Sequence, residues 1–161
     1  MAKSAVVNAS PLIYLAGGGC LSLLQLMAPT IVVPQSVHGE IAAHGSDDPV
    51  VQAVLAANWL VRMPDPPIPA EVQAWDLGPG ESAVLSQALM RPGTEAILDD
   101  LAGRRRALSF QIPVRGTLGV VLTAKQRGAI PAARPVVEAM RRSGKYLSDR
   151  VLNEALSLVG E

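Results

Sequence analysis

Short apolar runs alternate with longer stretches of helical spacing along this chain, and each run tends to end on a polar tip. Residues 5–7 (Ala-Val-Val) form the first run, followed by Asn8-Ala9-Ser10-Pro11, a polar tip with proline in what should be the first turn of a helix. The predicted helix over 11–14 pauses at Gly17-Gly18-Gly19 and resumes over 21–27. A second strand over 30–34 is stopped by Pro34, which cannot donate to a ladder. Helices are predicted over 35–43 and 49–58, a strand over 59–63, a proline-rich loop over 64–69 and a short helix or turn over 70–75. A broad apolar face predicts a helix over 81–90, introduced by Gly78-Pro79-Gly80. Then come a strand over 96–98, a helix over 101–110, a strand near Pro113-Val114, and a helix running through Lys125. Beyond Ile130-Pro131 the pattern is purely helical, with amphipathic pieces over 135–142 and 148–159.

Strands separated by helices imply parallel βαβ connections, so the expected class is α/β, a mostly parallel central sheet flanked by helices. The 161 residues suit one domain spanning 1–161, with 131–161 as a helical C-terminal extension of it. Apolar residues make up 49% of the chain and aromatics only 3%, so small aliphatic side chains must build the core. The longest greasy stretch, 11–27, is interrupted by glycines and too short for a membrane span, which needs about 20 apolar residues. No signal-peptide pattern precedes the first strand, and a cytoplasmic location without membrane contact is the expectation. The single Cys20 excludes an internal disulfide framework and a cysteine zinc site, and reads as a buried small hydrophobe.

Charge adds an asymmetry. Residues 1–80 hold 2 Lys/Arg against 6 Asp/Glu and residues 81–161 hold 12 against 8, giving halves of −4 and +4 in a neutral chain. A basic half beside an acidic site suits a nuclease; solvated helix faces are the plainer reading. Two strand tips carry the candidate chemistry, Asn8 after the first strand and Asp99-Asp100 after Glu95-Ala96-Ile97-Leu98. Ligands in open α/β sheets gather outside the carboxyl ends of the strands. If Glu40 and Glu81 reach the same place, that many acidic groups require a cation. All but one of these residues also have a structural role open to them. Asp99 or Asp100 suits a helix N-cap, Glu81 complements the dipole in a first helical turn, and Asn8 and Ser10 suit a turn and a cap. Glu40, late in its helix, has no such role. Neither His38 nor His44 stands at a spacing that would make Cys20 or Ser10 a nucleophile. Gly17-Gly18-Gly19 lacks the flanking residues of a phosphate loop, and Ser143-Gly144-Lys145 reads as a helix terminator.

In chain order, Asn8-Ala9-Ser10-Pro11-Leu12-Ile13, Ile31-Val32-Val33-Pro34 with Glu40, Gly80-Glu81, Leu98-Asp99-Asp100 with Arg104 and Arg105, Gly116-Thr117-Leu118-Gly119 with Lys125, Gly128-Ala129-Ile130-Pro131 and Leu147-Ser148-Asp149 resemble a branch of the PIN-domain superfamily. That branch is similar to the VapC-type toxins of toxin–antitoxin pairs. The resemblance covers nearly the whole chain. It implies a PIN-like nuclease in which three or four acids at one sheet edge hold Mg²⁺ or Mn²⁺ for RNA phosphodiester hydrolysis. By position it implies Asn8, Glu40, Glu81 and Asp99 or Asp100 as metal ligands, with Glu40, Glu81, Asp99 and Asp100 carrying catalysis and Ser10 in support. Arg104, Arg105 and Lys125 would hold nucleic acid. A small antitoxin is the implied partner and a homodimer is plausible, with Val136, Val137, Met140, Val151, Leu152, Leu156 and Val159 free to pack internally or across it. The chain departs from the pattern at Asn8, where most active relatives carry Asp. An amide oxygen ligates a cation but brings no charge and cannot act as a base. The alternative is therefore a catalytically weakened fold that binds nucleic acid or a protein partner.

Overall fold

The computed structural model describes residues 1–161 and opens with strand β1 (Ser4–Val7) feeding helix α1 (Ala9–Gly17). A 3₁₀ turn (Leu21–Leu26) returns the chain to β2 (Ile31–Pro34), which passes directly into α2 (Gln35–Ala42). Helix α3 (Pro49–Ala56) leads to β3 (Leu60–Met63), and the short α4 (Ala70–Gln73) to the long α5 (Pro79–Met90). Then follow β4 (Thr94–Ile97), α6 (Leu101–Ser109), β5 (Val114–Arg115) and α7 (Thr117–Gln126). Helices α8 (Arg134–Arg142) and α9 (Asp149–Ser157) end the chain.

All five strands join one sheet in the order β3-β2-β1-β4-β5, and every neighbouring pair is parallel. The α/β class read from the alternation of runs is the observed one. Strands β1, β2 and β4 are covered on both faces, which is why β1 and β2 read as apolar runs rather than as alternating ones; β4 buries Thr94 and Glu95 as well, the latter paired with Arg115 at 2.9 Å. Element ends differ from the expected ones by a residue or two. Helix α1 begins at Ala9 because Asn8 has the extended backbone of an N-cap (φ −82°, ψ 170°), and Pro11 falls in the first turn, where its missing N–H costs nothing.

The core combines Leu12 and Leu15 of α1, Ile41 of α2, Val84 and Leu85 of α5, and Val120 and Val121 of α7 with the strands. The C-terminal helices belong to it. Val137, Met140, Leu152 and Leu156 are buried in the same core, Val136 and Val159 are half-buried, and only Val151 of the seven expected apolar positions is exposed. The last residue fastens this segment: the Glu161 carboxylate accepts from the N–H groups of Ala133 (2.6 Å) and Arg134 (3.2 Å) at the start of α8. The Ala133 N–H bond is the main reason its carboxyl is held below the ordinary value. Cys20 is half-buried, its Sγ donates to the Leu15 carbonyl, and burial pushes its thiol up to about 11, so it stays protonated and unreactive near neutrality. No helix is long and apolar enough to cross a membrane.

Strand order also locates the candidate edge. From β1 the chain steps outward through β2 to β3, then returns to β4 on the other side of β1. Connections leaving β1 and β4 therefore diverge, and a crevice opens between them at their carboxyl ends. Asn8 and Asp99 occupy those two tips.

Candidate active site at the sheet edge

Asn8 stands at the N-cap of α1 without capping it. Its backbone N–H donates to Ile97 O (2.9 Å), tying the tip of β1 to β4, and its side chain is only 4% exposed. The amide nitrogen Nδ2 donates to Glu81 Oε1 in a long bond of 3.4 Å. That orientation leaves Oδ1 buried with no hydrogen-bond partner. Buried polar oxygens are almost always paired, because leaving one unpaired costs about 1–3 kcal/mol. His38 Nε2 and Ser86 Oγ are also unpaired, but neither belongs to this cluster.

Glu40 and Glu81 reach Asn8 from two helices. Glu81 lies in the first turn of α5, and Glu40 comes from the last turns of α2. They meet around Gly80, whose N–H at the start of α5 faces the Glu40 carboxylate. A Cβ at Gly80 would overlap Glu40 Oε1 and stand 3.1 Å from Asn8 Oδ1, so glycine leaves room for those two side chains to close in. Desolvation raises the Glu40 carboxyl above its ordinary value, the Glu81 charge raises it further, and the Gly80 N–H partly offsets both. The Glu40 side chain is nonetheless exposed, so solvent screens much of this effect.

Asp99, at the tip of β4, is organised differently. Its Oδ1 accepts from Thr117 N–H (2.7 Å), its Oδ2 accepts from the Thr117 hydroxyl (2.6 Å), and Lys145 Nζ lies 3.5 Å from Oδ2. Thr117 is fully buried at the first turn of α7, so Asp99 fixes where that helix begins. Asp100 takes the capping role: its Oδ2 accepts from Gly103 N–H (2.7 Å) as the N-cap of α6. Ser10 is half-buried in the first turn of α1, where no side chain caps the helix.

Two carboxylates and an amide thus meet at one point, where the sequence had suggested three or four acids. No three His, Cys, Asp or Glu side chains come together closely enough to hold an ion by themselves. Of the basic residues expected to hold nucleic acid, Arg104 comes to this edge, lining a groove with Asp99. Arg105 is exposed on the outer face of α6 beside Arg106, which lies 6.0 Å from the Trp75 ring. Lys125 is not brought here. It lies about 12 Å along α7 from Thr117, and its Nζ donates to Pro131 O (2.6 Å). Lys145 takes the place the sequence had suggested for Lys125. A Ser-Gly-Lys after a helix gave no sign of it, since the contact with Asp99 joins segments far apart in the chain.

A family profile described as a PIN domain matches residues 4–161. The chain belongs to the PIN-domain family. Comparison with curated proteins found no match. PIN domains have a nuclease-type fold and are generally divalent-metal-dependent, acting on nucleic acid. The PIN edge of this chain fits such an ion: hard oxygen donors suit Mg²⁺ or Mn²⁺, Mg²⁺ needs few protein ligands, and the buried, unpartnered Asn8 Oδ1 lies next to two carboxylates that repel each other.

Glu40 makes this fit measurable without any catalytic assay. Folding raises its carboxyl pKa, so its ionised form is less favoured in the folded than in the unfolded chain. Its unfavourable contribution sets in as pH rises past the ordinary 4.5, is complete above the raised value, and is absent in acid. Glu40→Gln keeps an acceptor for Gly80 and removes the charge. In EDTA the variant is expected to melt with the wild type in acid and slightly above it at neutral pH, the gain being small because solvent screens an exposed carboxylate. A neutral-pH melting temperature below wild type in EDTA would contradict this account.

Proposed function

We propose that this PIN domain is a Mg²⁺- or Mn²⁺-dependent endoribonuclease, the toxin of a toxin–antitoxin pair, with Asn8 Oδ1, Glu40 and Glu81 as the ligand set. The buried, unpartnered Asn8 oxygen between two carboxylates carries the reading. When bound, the ion supplies positive charge against the phosphate in the transition state and makes water a better nucleophile. The chain's own residues do the rest. Asn8, through its backbone bond to Ile97, keeps the ligand oxygen at the crevice between β1 and β4. The Gly80 N–H favours the ionised Glu40 carboxylate, and the Asn8 amide orients Glu81. Asp99 joins from the neighbouring tip and positions Thr117 and Lys145, while Arg104 faces the substrate phosphates. Asp100 serves chiefly as the cap of α6.

The test is cleavage of a labelled RNA with single-stranded loops by the purified full chain. Cutting is expected with Mn²⁺, loss of cutting in EDTA and recovery when Mn²⁺ is restored. Cutting that proceeds at the same rate in EDTA would trace the activity to a contaminant, and cutting undiminished in Asp99→Ala would remove Asp99 from the site. A small adjacent open reading frame whose product blocks the cutting would identify the antitoxin.

A second reading, a weakened PIN fold that binds without cutting, draws on two observations. Asn8 adds no charge to the ligand set, and Asp99 already has an internal counter-ion in Lys145.

A further inference from the structure

Tyr146 is 91% exposed. The chain's other aromatic rings each have a partner: Trp75 meets the partly exposed Phe110 edge-on at 4.8 Å between centroids, Trp59 lies against the core, and Tyr14 lies beneath the Lys145 ammonium at 4.5 Å. Nothing in the fold accounts for a bare tyrosine here. Its chain neighbours Lys145 and Leu147 both line a groove of about 520 Å³, bounded on its other side by Asp99, Arg104 and Arg115. The groove leads to the tip of β4.

The charges along it favour a polyanion. Lys145 is held from two sides, by Asp99 and by the Tyr14 ring, so its ammonium is fixed in place with only 11% of the side chain exposed. Arg104 makes no ion pair and stands beside Asp99 across Gly116, where a Cβ would lie 3.1 Å from Asp99 Oδ1 and 3.4 Å from Arg104 Nη1. Arg115 is committed to the buried Glu95 at 2.9 Å. A fixed cation, a free cation and an exposed π face in sequence are the elements with which proteins hold unstacked nucleotides.

We propose that the Lys145–Tyr146 segment is a nucleotide subsite, in which Lys145 holds a backbone phosphate and Tyr146 stacks on the adjoining base beside the acidic edge. The subsite rests on the nuclease reading for the identity of the polymer as RNA. Stacking requires an unpaired base, so the subsite selects single-stranded segments.

Fluorescence anisotropy of a short fluorescein-labelled oligoribonucleotide, single-stranded and in duplex, tests this on the full chain in EDTA, where cleavage does not interfere. Wild-type protein is expected to bind the single strand more tightly than the duplex. Tyr146→Ala should weaken single-strand binding about tenfold, and Tyr146→Phe should restore it. Lys145→Met keeps a stem over Tyr14 and should flatten the slope of log K against log salt by about 0.7, the loss of one phosphate contact on a single strand. Equal binding by Tyr146→Ala, equal affinity for duplex, an unchanged salt slope, or no RNA binding by the wild type would each overturn the subsite. Binding that behaves as expected in a protein that does not cut with Mn²⁺ keeps the subsite and removes only the nuclease. Cutting by a protein whose Tyr146→Ala variant binds normally does the reverse.

Discussion

Glu40→Gln combined with Glu81→Gln is expected to lower Mn²⁺-dependent RNA cleavage by about a thousandfold or more. Metal-assisted stabilisation of transition-state charge is worth several kcal/mol, and each ~1.4 kcal/mol is a factor of ten in rate. Both substitutions keep the side-chain shape and an oxygen acceptor, so the Gly80 N–H retains a partner. The two charges would be gone and the buried Asn8 oxygen would be the only unaltered ligand left. The expected signature is loss of cutting with an intact fold, read as an unchanged or raised melting temperature in EDTA. Cleavage within tenfold of wild type would place the chemistry elsewhere and end the proposed ligand set.

Asn8→Asp should act in the opposite direction. The substitution puts a third carboxylate beside Glu40 and Glu81 and replaces the Nδ2 bond to Glu81 by repulsion. Without metal the fold should lose stability, seen as a lower melting temperature in EDTA. With Mn²⁺ the order should reverse, and calorimetry should show affinity at least about tenfold above wild type. That is ~1.4 kcal/mol, well within the ~4 kcal/mol that an added unit charge at about 4 Å is worth near a protein surface. A gain of cutting in this variant, from a wild type that binds but barely cuts, would establish the weakened-fold reading. Unchanged Mn²⁺ affinity would put Asn8 outside the site.

Much of the architecture was legible because it is local. Runs of three or four β-branched and small residues, separated by helical spacing, specify strand and helix without reference to the rest of the chain, and Pro11, Pro34 and Gly78-Pro79-Gly80 mark where one becomes the other. The helix ends shifted by a residue or two because caps are decided by backbone dihedrals that composition does not reveal, as at Asn8. The family resemblance rested on the order of several short motifs, and it agrees with the PIN-domain match over residues 4–161.

Roles at the sheet edge were less legible. Asp99 and Asp100 are adjacent and chemically identical, and either could have capped α6. What separates them is that Asp100 stands one residue before the helix, while Asp99 faces Thr117 and Lys145. Lys125 in the last turn of α7 and Lys145 just after α8 both lie in the basic half, yet only Lys145 reaches the acids, because α7 carries Lys125 away from its own N-terminus toward Pro131.

By itself the sequence determined that strands and helices alternate, and that polar residues sit at the tips of the first and fourth strands. Those properties are set within a few residues by periodicity, proline and side-chain polarity. Tertiary structure alone decided that Asn8, Glu40 and Glu81 meet around Gly80, that Asp99 belongs to Thr117 and Lys145, and that Tyr146 is left bare. Such meetings depend on strand order and helix packing across the whole chain, where the free energy of a contact is shared among segments that no local pattern connects.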